Sequence, residues 1–267
     1  MLKKIQDFII AYAPDEIFIP LMNVNNKIKQ RNAVLQKPEK GIYSVSDGMD
    51  VIHSGRRIRL GRYFFGIQKQ CATLAKEYII AGIDYKAGDI IIDCGANNGE
   101  IGVWANSKNL TYHAFEPEEL EARCCDLNNY GGQKKTNREG LWHEKTTLKW
   151  YSKPDTADSS LIEIDETDHV CSIETTTLDD FVREQNIEHI RLFKLEAEGA
   201  EPEVLRGALN TLDKIDYIAI DCGYERGTAK THTFIDVYNI LKKHNFEIVS
   251  AEFKRVVFLF KRTDAKP

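Results

Sequence analysis

The rhythm of apolar and polar positions changes at about residue 89. Asp89–Cys94 (DIIIDC) is an unbroken β-branched run, which predicts a strand buried on both faces. Gly99–Ser107 then has helical character, Thr111–Phe115 reads as a strand, and Glu118–Asn129 as a helix ended by Tyr130-Gly131-Gly132. A weaker strand is predicted near Thr136–Trp142 and an added hairpin strand over Thr147–Tyr151. Lys153–Asp168 is polar and turn-rich, and reads as a loop over one face. Thr177 is placed to cap a short helix ending near Gln185, and Ile190–Glu196 is the next strand. Pro202 suits the first turn of a helix over Glu201–Leu212, because its missing N–H is not needed there. Asp216–Cys222 is a strand, Thr233–His244 a helix, and Phe246–Phe253 with Val256–Lys261 a closing hairpin.

Strand–helix alternation that ends in a hairpin predicts an open α/β sheet, mostly parallel, with its last strand antiparallel. The front of the chain differs. Leu2, Ile5, Phe8, Ile9 and Tyr12 mark one helical face, a polar stretch runs to Gly41, and Ile42–Ile52 and Arg57–Leu60 read as short strands. Residues 1–70 are therefore expected to form a helix-plus-hairpin appendage on a catalytic domain of residues 71–267.

Composition adds three constraints. At 267 residues and 42% hydrophobic, the chain can bury a core without disulfide or metal staples. Its six cysteines show no CxxC pair, its start shows no export signal, and no run approaches a membrane span, so reduced buried thiols in a cytoplasmic protein are expected. The net charge of −5 is uneven: residues 1–69 hold twelve Lys/Arg against six Asp/Glu, which leaves the catalytic half acidic. That balance speaks against a nucleic-acid partner and leaves room for peripheral membrane contact or a homo-oligomer through the basic front.

Three segments carry chemistry. Asp93-Cys94-Gly95-Ala96-Asn97-Asn98-Gly99 lies between a buried strand and a helix, where glycine permits a sharp turn and close ligand approach. It departs from GxGxxG: Asn97 replaces the second glycine, and Glu100 at the helix start would repel a pyrophosphate. Asp93 suits a ligand with a cationic amino group. Glu116, at the end of the next strand, is placed to accept from ribose hydroxyls. Lys194-Leu195-Glu196-Ala197-Glu198-Gly199-Ala200-Glu201 gathers three carboxylates and a lysine at a strand's mouth, where burial is costly unless the group is paired or functional. Asp221 closes a further strand and could join Glu196 on a divalent cation, but a third ligand is missing, so no metal is expected.

The segments IIIDCGANNGEIGVWA (90–105), AFEPEELEARCCDLNN (114–129), TTTLDDF (175–181) and LFKLEAEGAEPEVLRGAL (192–209) resemble the FkbM family of methyltransferases over roughly residues 85–262. The resemblance implies a class I Rossmann-like sheet of seven strands with the last one antiparallel, and S-adenosylmethionine as cofactor. It also implies O-methylation of a sugar or glycosylated natural product. It places Asp93, Gly95, Ala96, Asn97 and Gly99 around the methionine part and Glu116 on the ribose. Leu141 and Trp142 follow the third strand, where class I enzymes enclose adenine. Where the family reads Lys-Ile-Asp-x-Glu-Gly, this chain reads Lys-Leu-Glu-x-Glu-Gly. Glu196 and Glu198 are the expected catalytic carboxylates at the acceptor oxygen. N- or C-methylation of a small molecule is the alternative reaction. A nicotinamide-dependent oxidoreductase is the more distant one.

Overall fold

The computed structural model describes residues 12–153, 159–165, 167 and 169–263. The face expected over Leu2–Ile9 lies outside them. The first described elements are helix α1 (Asp15–Ile28) and an antiparallel three-stranded sheet of β1 (Val34–Glu39), β2 (Ile42–Ser46) and β3 (Val51–Ser54). The front segment thus has a strand before Gly41 that its polar composition concealed, and Ile42–Ile52 is split by a turn at Asp47–Asp50. Arg57–Leu60 is not a strand. It begins a 3₁₀ segment, Arg57–Phe65, that buries Leu60, Tyr63 and Phe64. Three- and four-residue spacing of buried groups suits a helical turn, whereas a strand buries alternate residues.

Helix α2 (Ile67–Glu77) runs across residue 70 and leads into the alternating part of the chain. There follow β4 (Ile90–Cys94), α3 (Glu100–Asn106), β5 (Thr111–Phe115), α4 (Glu119–Asn129), β6 (Gly140–Leu141), β7 (Thr147–Ser152) and β8 (His169–Thr176). The chain closes with α5 (Leu178–Glu184), β9 (Ile190–Leu195), α6 (Glu201–Arg206), β10 (Ile215–Asp221), α7 (Phe234–Lys243), β11 (Phe246–Glu252) and β12 (Val257–Arg262). Thr177 caps α5 by accepting from the Asp180 N–H at 2.9 Å, as its position predicts.

The main sheet has the order β11–β12–β10–β9–β4–β5. β5, β4, β9 and β10 are parallel, and β12, the last strand of the chain, is reversed between β10 and β11. This is the expected class I Rossmann-like sheet with one strand fewer. The seventh strand is reduced to a bridge in which Asn137 pairs with Phe115 beyond the β5 edge. Neighbouring Lys134, Lys135, Arg138 and Glu139 give that stretch no apolar face to bury. β6 pairs instead with β8, and β8 with β7, in a small separate sheet.

Successive residues of the central strands face opposite sides. Ile91 belongs to a cluster with Leu192, Trp104, Tyr112 and the front-segment residues Phe18, Leu35, Val45 and Tyr63. Ile92 joins Phe193, Phe181, Leu205 and Leu241 on the other face. The front segment therefore shares a core with one face of the sheet. No helix is long and apolar enough to cross a membrane among the described residues. Five cysteines are buried, but Cys171 on β8 is exposed, contrary to the expectation for all six.

Candidate active site

The chain leaves β4 for β5 on one side, while β9 pairs on the other, so the order reverses between β4 and β9. A crevice opens at the carboxyl ends of strands at such a point. The loop after β4 forms its floor. Gly95 and Gly99 have φ of +75° and +78°, and a Cβ on Gly95 would lie 2.2 Å from the Glu196 carbonyl oxygen. Only glycine fits there, which explains the residue type independently of any ligand. Asn97 adopts φ +51° and turns its N–H to Glu116 Oε2 at 2.8 Å.

Glu116 is buried at the edge of this crevice and also accepts from the Glu118 N–H at 3.0 Å. Burial outweighs these donors and pushes its pKa up to about 7. Leu141 lines the same cleft as Asp93, Gly95, Ala96, Asn97 and Glu116. Trp142 is not in that lining; its backbone oxygen lies against Gly207, and its ring beside His143. The Lys153–Asp168 stretch, whose residues 154–158, 166 and 168 lie outside the described ones, contributes Ser159 and Leu161 to the cleft. Trp150, Ser152 and Ser159 all donate to Glu118 Oε1, at 2.9, 2.6 and 2.7 Å, and fasten this stretch over α4.

Behind the floor lies a buried ionic chain. Lys194 Nζ is 3.1 Å from both Asp93 Oδ1 and Glu196 Oε2, and donates to the carbonyls of Cys94 and Gly95 at 3.1 and 2.8 Å. Tyr112 donates to Asp93 at 2.7 Å, and burial pushes the Asp93 carboxyl up against the pull of Lys194. Glu196 also receives the Tyr78 hydroxyl and the Arg255 guanidinium, the latter at 2.7 Å. Burial works to raise its pKa, but Lys194, Arg255 and Tyr78 overcome it and hold the carboxyl below its usual range. Arg255 lies 3.2 Å from Asp221 as well, so a guanidinium joins the two carboxylates considered for a cation. Among the described residues, no group of three His, Cys, Asp or Glu is placed to hold a metal ion.

Residues 93–248, more than half the chain, match the family model described as the methyltransferase FkbM domain. The chain belongs to this family. As an FkbM-domain protein it is a methyltransferase, and the matched span holds the crevice lining from Asp93 through Glu225. No curated protein is a significant match. Among solved structures, a protein in the NADB-Rossmann superfamily from Streptococcus agalactiae has 10% identity and a TM-score of 0.40, over 75% of this chain and 69% of that one. An rRNA methylase from Streptococcus thermophilus has 17% identity and a TM-score of 0.37, over 71% and 95%. A precorrin-6y C5,15-methyltransferase from Geobacter metallireducens has 10% identity and a TM-score of 0.36, over 72% and 87%. At these values no substrate carries over.

The remaining carboxylates of this FkbM methyltransferase divide by environment. Glu201 is buried and accepts from the Ala197 and Gly199 N–H groups at 2.9 and 3.1 Å, so it shapes its own loop. Glu198 lines the cleft with φ +48°, its carbonyl accepting from the Ser160 hydroxyl at 2.8 Å. Glu225 also lines the cleft, in the loop after β10. Burial, then the charges of Asp221, Glu196 and Glu201, push its pKa up to about 8 against the pull of Arg255. Sequence reading missed Glu225, although Asp221-Cys222-Gly223-Tyr224-Glu225 follows a strand end at the edge where ligands bind. Tyr78 and Arg255 gave no signal, because only tertiary packing brings α2 and the β11–β12 turn to Glu196.

Proposed function

We propose that this methyltransferase uses S-adenosylmethionine to methylate a hydroxyl of a sugar or glycosylated acceptor. The crevice at the reversal of strand order, lined by the loop after β4 and by the buried Glu116 at the end of β5, is the observation that carries the cofactor reading. Asp93, Gly95, Ala96 and Asn97 would enclose the methionine part, Glu116 would accept from the ribose, and Leu141 would cover the base. Gly99 is outside the cleft lining and faces Asn129 and Cys125 of α4, so it would support the loop from behind. The cofactor supplies an electrophilic sulfonium methyl carbon.

The chain's own residues then have two tasks. The first is alignment, since methyl transfer needs the acceptor oxygen in line with the carbon. The second is removal of the hydroxyl proton. Glu196 is engaged by Lys194, Arg255 and Tyr78, which favours its charged form and makes it a weak base. It acts as a positioning residue that holds Arg255 and Lys194. Glu198 and Glu225 both line the cleft; Glu198 would orient the acceptor, and Glu225 would take the proton.

Calorimetry on the full chain is expected to show saturable binding of S-adenosylhomocysteine and none of NAD. Saturable NAD binding with no response to the sulfur ligand would reverse the assignment to the nicotinamide class. The Glu116 pKa near 7 gives a second expectation. A ribose hydroxyl donates best to the ionised carboxylate, so binding is full above pH 7 and weakens as pH falls through it, by up to about tenfold per unit. Glu116→Gln should flatten this profile, and Glu116→Ala should weaken affinity roughly ten- to a hundredfold at pH 8. A wild-type affinity that stays constant from pH 5.5 to 8.5 would remove Glu116 from the ribose.

A further inference from the structure

One wall of the cleft is built from the front segment, which meets the glycine loop where Asn98 donates to the Ser54 hydroxyl at 3.2 Å. A 3₁₀ turn repeats every three residues, so side chains three apart lie in a row. Arg56, the residue before the 3₁₀ segment, and Arg59 and Arg62 within it all line the cleft, while Leu60, Tyr63 and Phe64 are buried. Arg56 is only 7% exposed. One edge of its guanidinium meets Glu121 at 3.1 Å, but its Nε and Nη1 have no hydrogen-bond partner among the described residues. A buried guanidinium with partnerless N–H groups is costly unless a ligand completes it. Burial, followed by repulsion from Arg56 and Arg62, pulls the Arg59 pKa below its usual value. Of the nearby acids, Glu121 faces Arg56 and feels Arg59, Glu116 also feels Arg56, and Glu100 accepts the Tyr63 hydroxyl at 2.5 Å while its charge acts on Arg59.

We propose that Arg56, Arg59 and Arg62 form an anion subsite that takes a carboxylate or phosphate group of a ligand held in the cleft. Planar guanidinium groups match both anions in geometry. The anion has two chemical sources, the carboxylate of the methyl donor's amino-acid part or an acidic group on the acceptor. The subsite rests on the methyl-donor reading only for the first of these. The row also gives the positive surplus of residues 1–69 a place in the site.

Calorimetry distinguishes the sources. The probes are S-adenosylhomocysteine, 5′-methylthioadenosine (which lacks the amino-acid part) and inorganic pyrophosphate. They are titrated into the full wild-type chain and the Arg59→Gln/Arg62→Gln double variant, with folding checked by thermal unfolding. Arg56→Lys is the companion variant, because it keeps the charge beside Glu121 but loses the planar fork. Pyrophosphate is expected to bind the wild type and to weaken by at least about tenfold in the double variant. A parallel loss for S-adenosylhomocysteine, with methylthioadenosine unchanged, assigns the anion to the donor. Loss for pyrophosphate alone assigns it to the acceptor. If the wild type binds pyrophosphate but neither nucleoside, the subsite stands and the donor reading fails. If pyrophosphate does not bind the wild type, or binds both proteins equally, and S-adenosylhomocysteine affinity is unchanged, the subsite is overturned.

Discussion

Glu225→Gln is expected to lower turnover of an identified acceptor by roughly 10²–10⁴-fold, the range for a positioned general base, with S-adenosylhomocysteine affinity almost unchanged. A neutral sugar hydroxyl is a poor nucleophile, and its proton must leave as the new carbon–oxygen bond forms. The acceptor of that proton works best with a pKa near the working pH. Glu225 satisfies this through burial and the adjoining charges of Asp221 and Glu196, which place its pKa at about 8. Asp221, also raised, to about 6, is turned to its own loop, accepting from the Gly223 N–H at 3.0 Å and pairing with Arg255. The sign follows from the base form. Only ionised Glu225 accepts the proton, so the wild-type rate should rise with pH through about 8 and then level off. The glutamine variant should lose that limb. Glu198→Gln is the control for an orienting role, expected to raise KM more than it lowers kcat. A Glu225→Gln enzyme with wild-type rate and pH profile would return the proton to Glu198.

The legible part of the fold was the part whose burial leaves a period in the sequence. DIIIDC became β4 because apolar β-branched residues on both sides are what a central strand needs, and Phe246–Phe253 with Val256–Lys261 became β11 and β12. β8 escaped because HVCSIETT is mostly exposed and pairs with β7 at the surface, so it has no apolar face to betray it. Arg57–Leu60 misled for the opposite reason: Arg-Ile-Arg-Leu alternates like a strand, yet Ile58 is exposed. In the site, the loops after β4, β5 and β9 were readable because each joins a buried strand to a helix. Trp142 was only one residue past Leu141, but consecutive residues point apart, and Leu141 took the cleft. Tyr78 and Arg255 lie far apart in sequence and carry no local spacing, and for Arg56 the charge balance of the front segment was the only trace.

Lys194→Met tests whether the ionic chain behind the floor holds the fold as well as the site. Methionine matches the length of the lysine stem without its charge. Lys194 is 2% exposed at its side chain, and its ammonium serves Asp93, Glu196 and two carbonyls at once. Removing one partner of a buried ion pair costs about 3–5 kcal/mol, because the remaining charge keeps its desolvation penalty. For a chain of this size that corresponds to a fall in Tm on the order of 10 °C. The loss should depend on pH in a direction fixed by the carboxylates. Glu196 has a lowered pKa in the folded protein, so the stability it contributes is present above its unfolded value and is lost as pH falls through the folded one. Asp93 is already raised by burial, and without Lys194 its ionised form is penalised further. The gap between wild type and variant should therefore be full at neutral pH and narrow in acid, as pH falls through the lowered folded pKa of Glu196. Adding Asp93→Asn to Lys194→Met removes one of the stranded charges, and the pair should be less destabilising than the sum of the single changes. Strict additivity, or a Tm that does not move at neutral pH, would mean that Asp93 and Lys194 are not coupled in the folded chain.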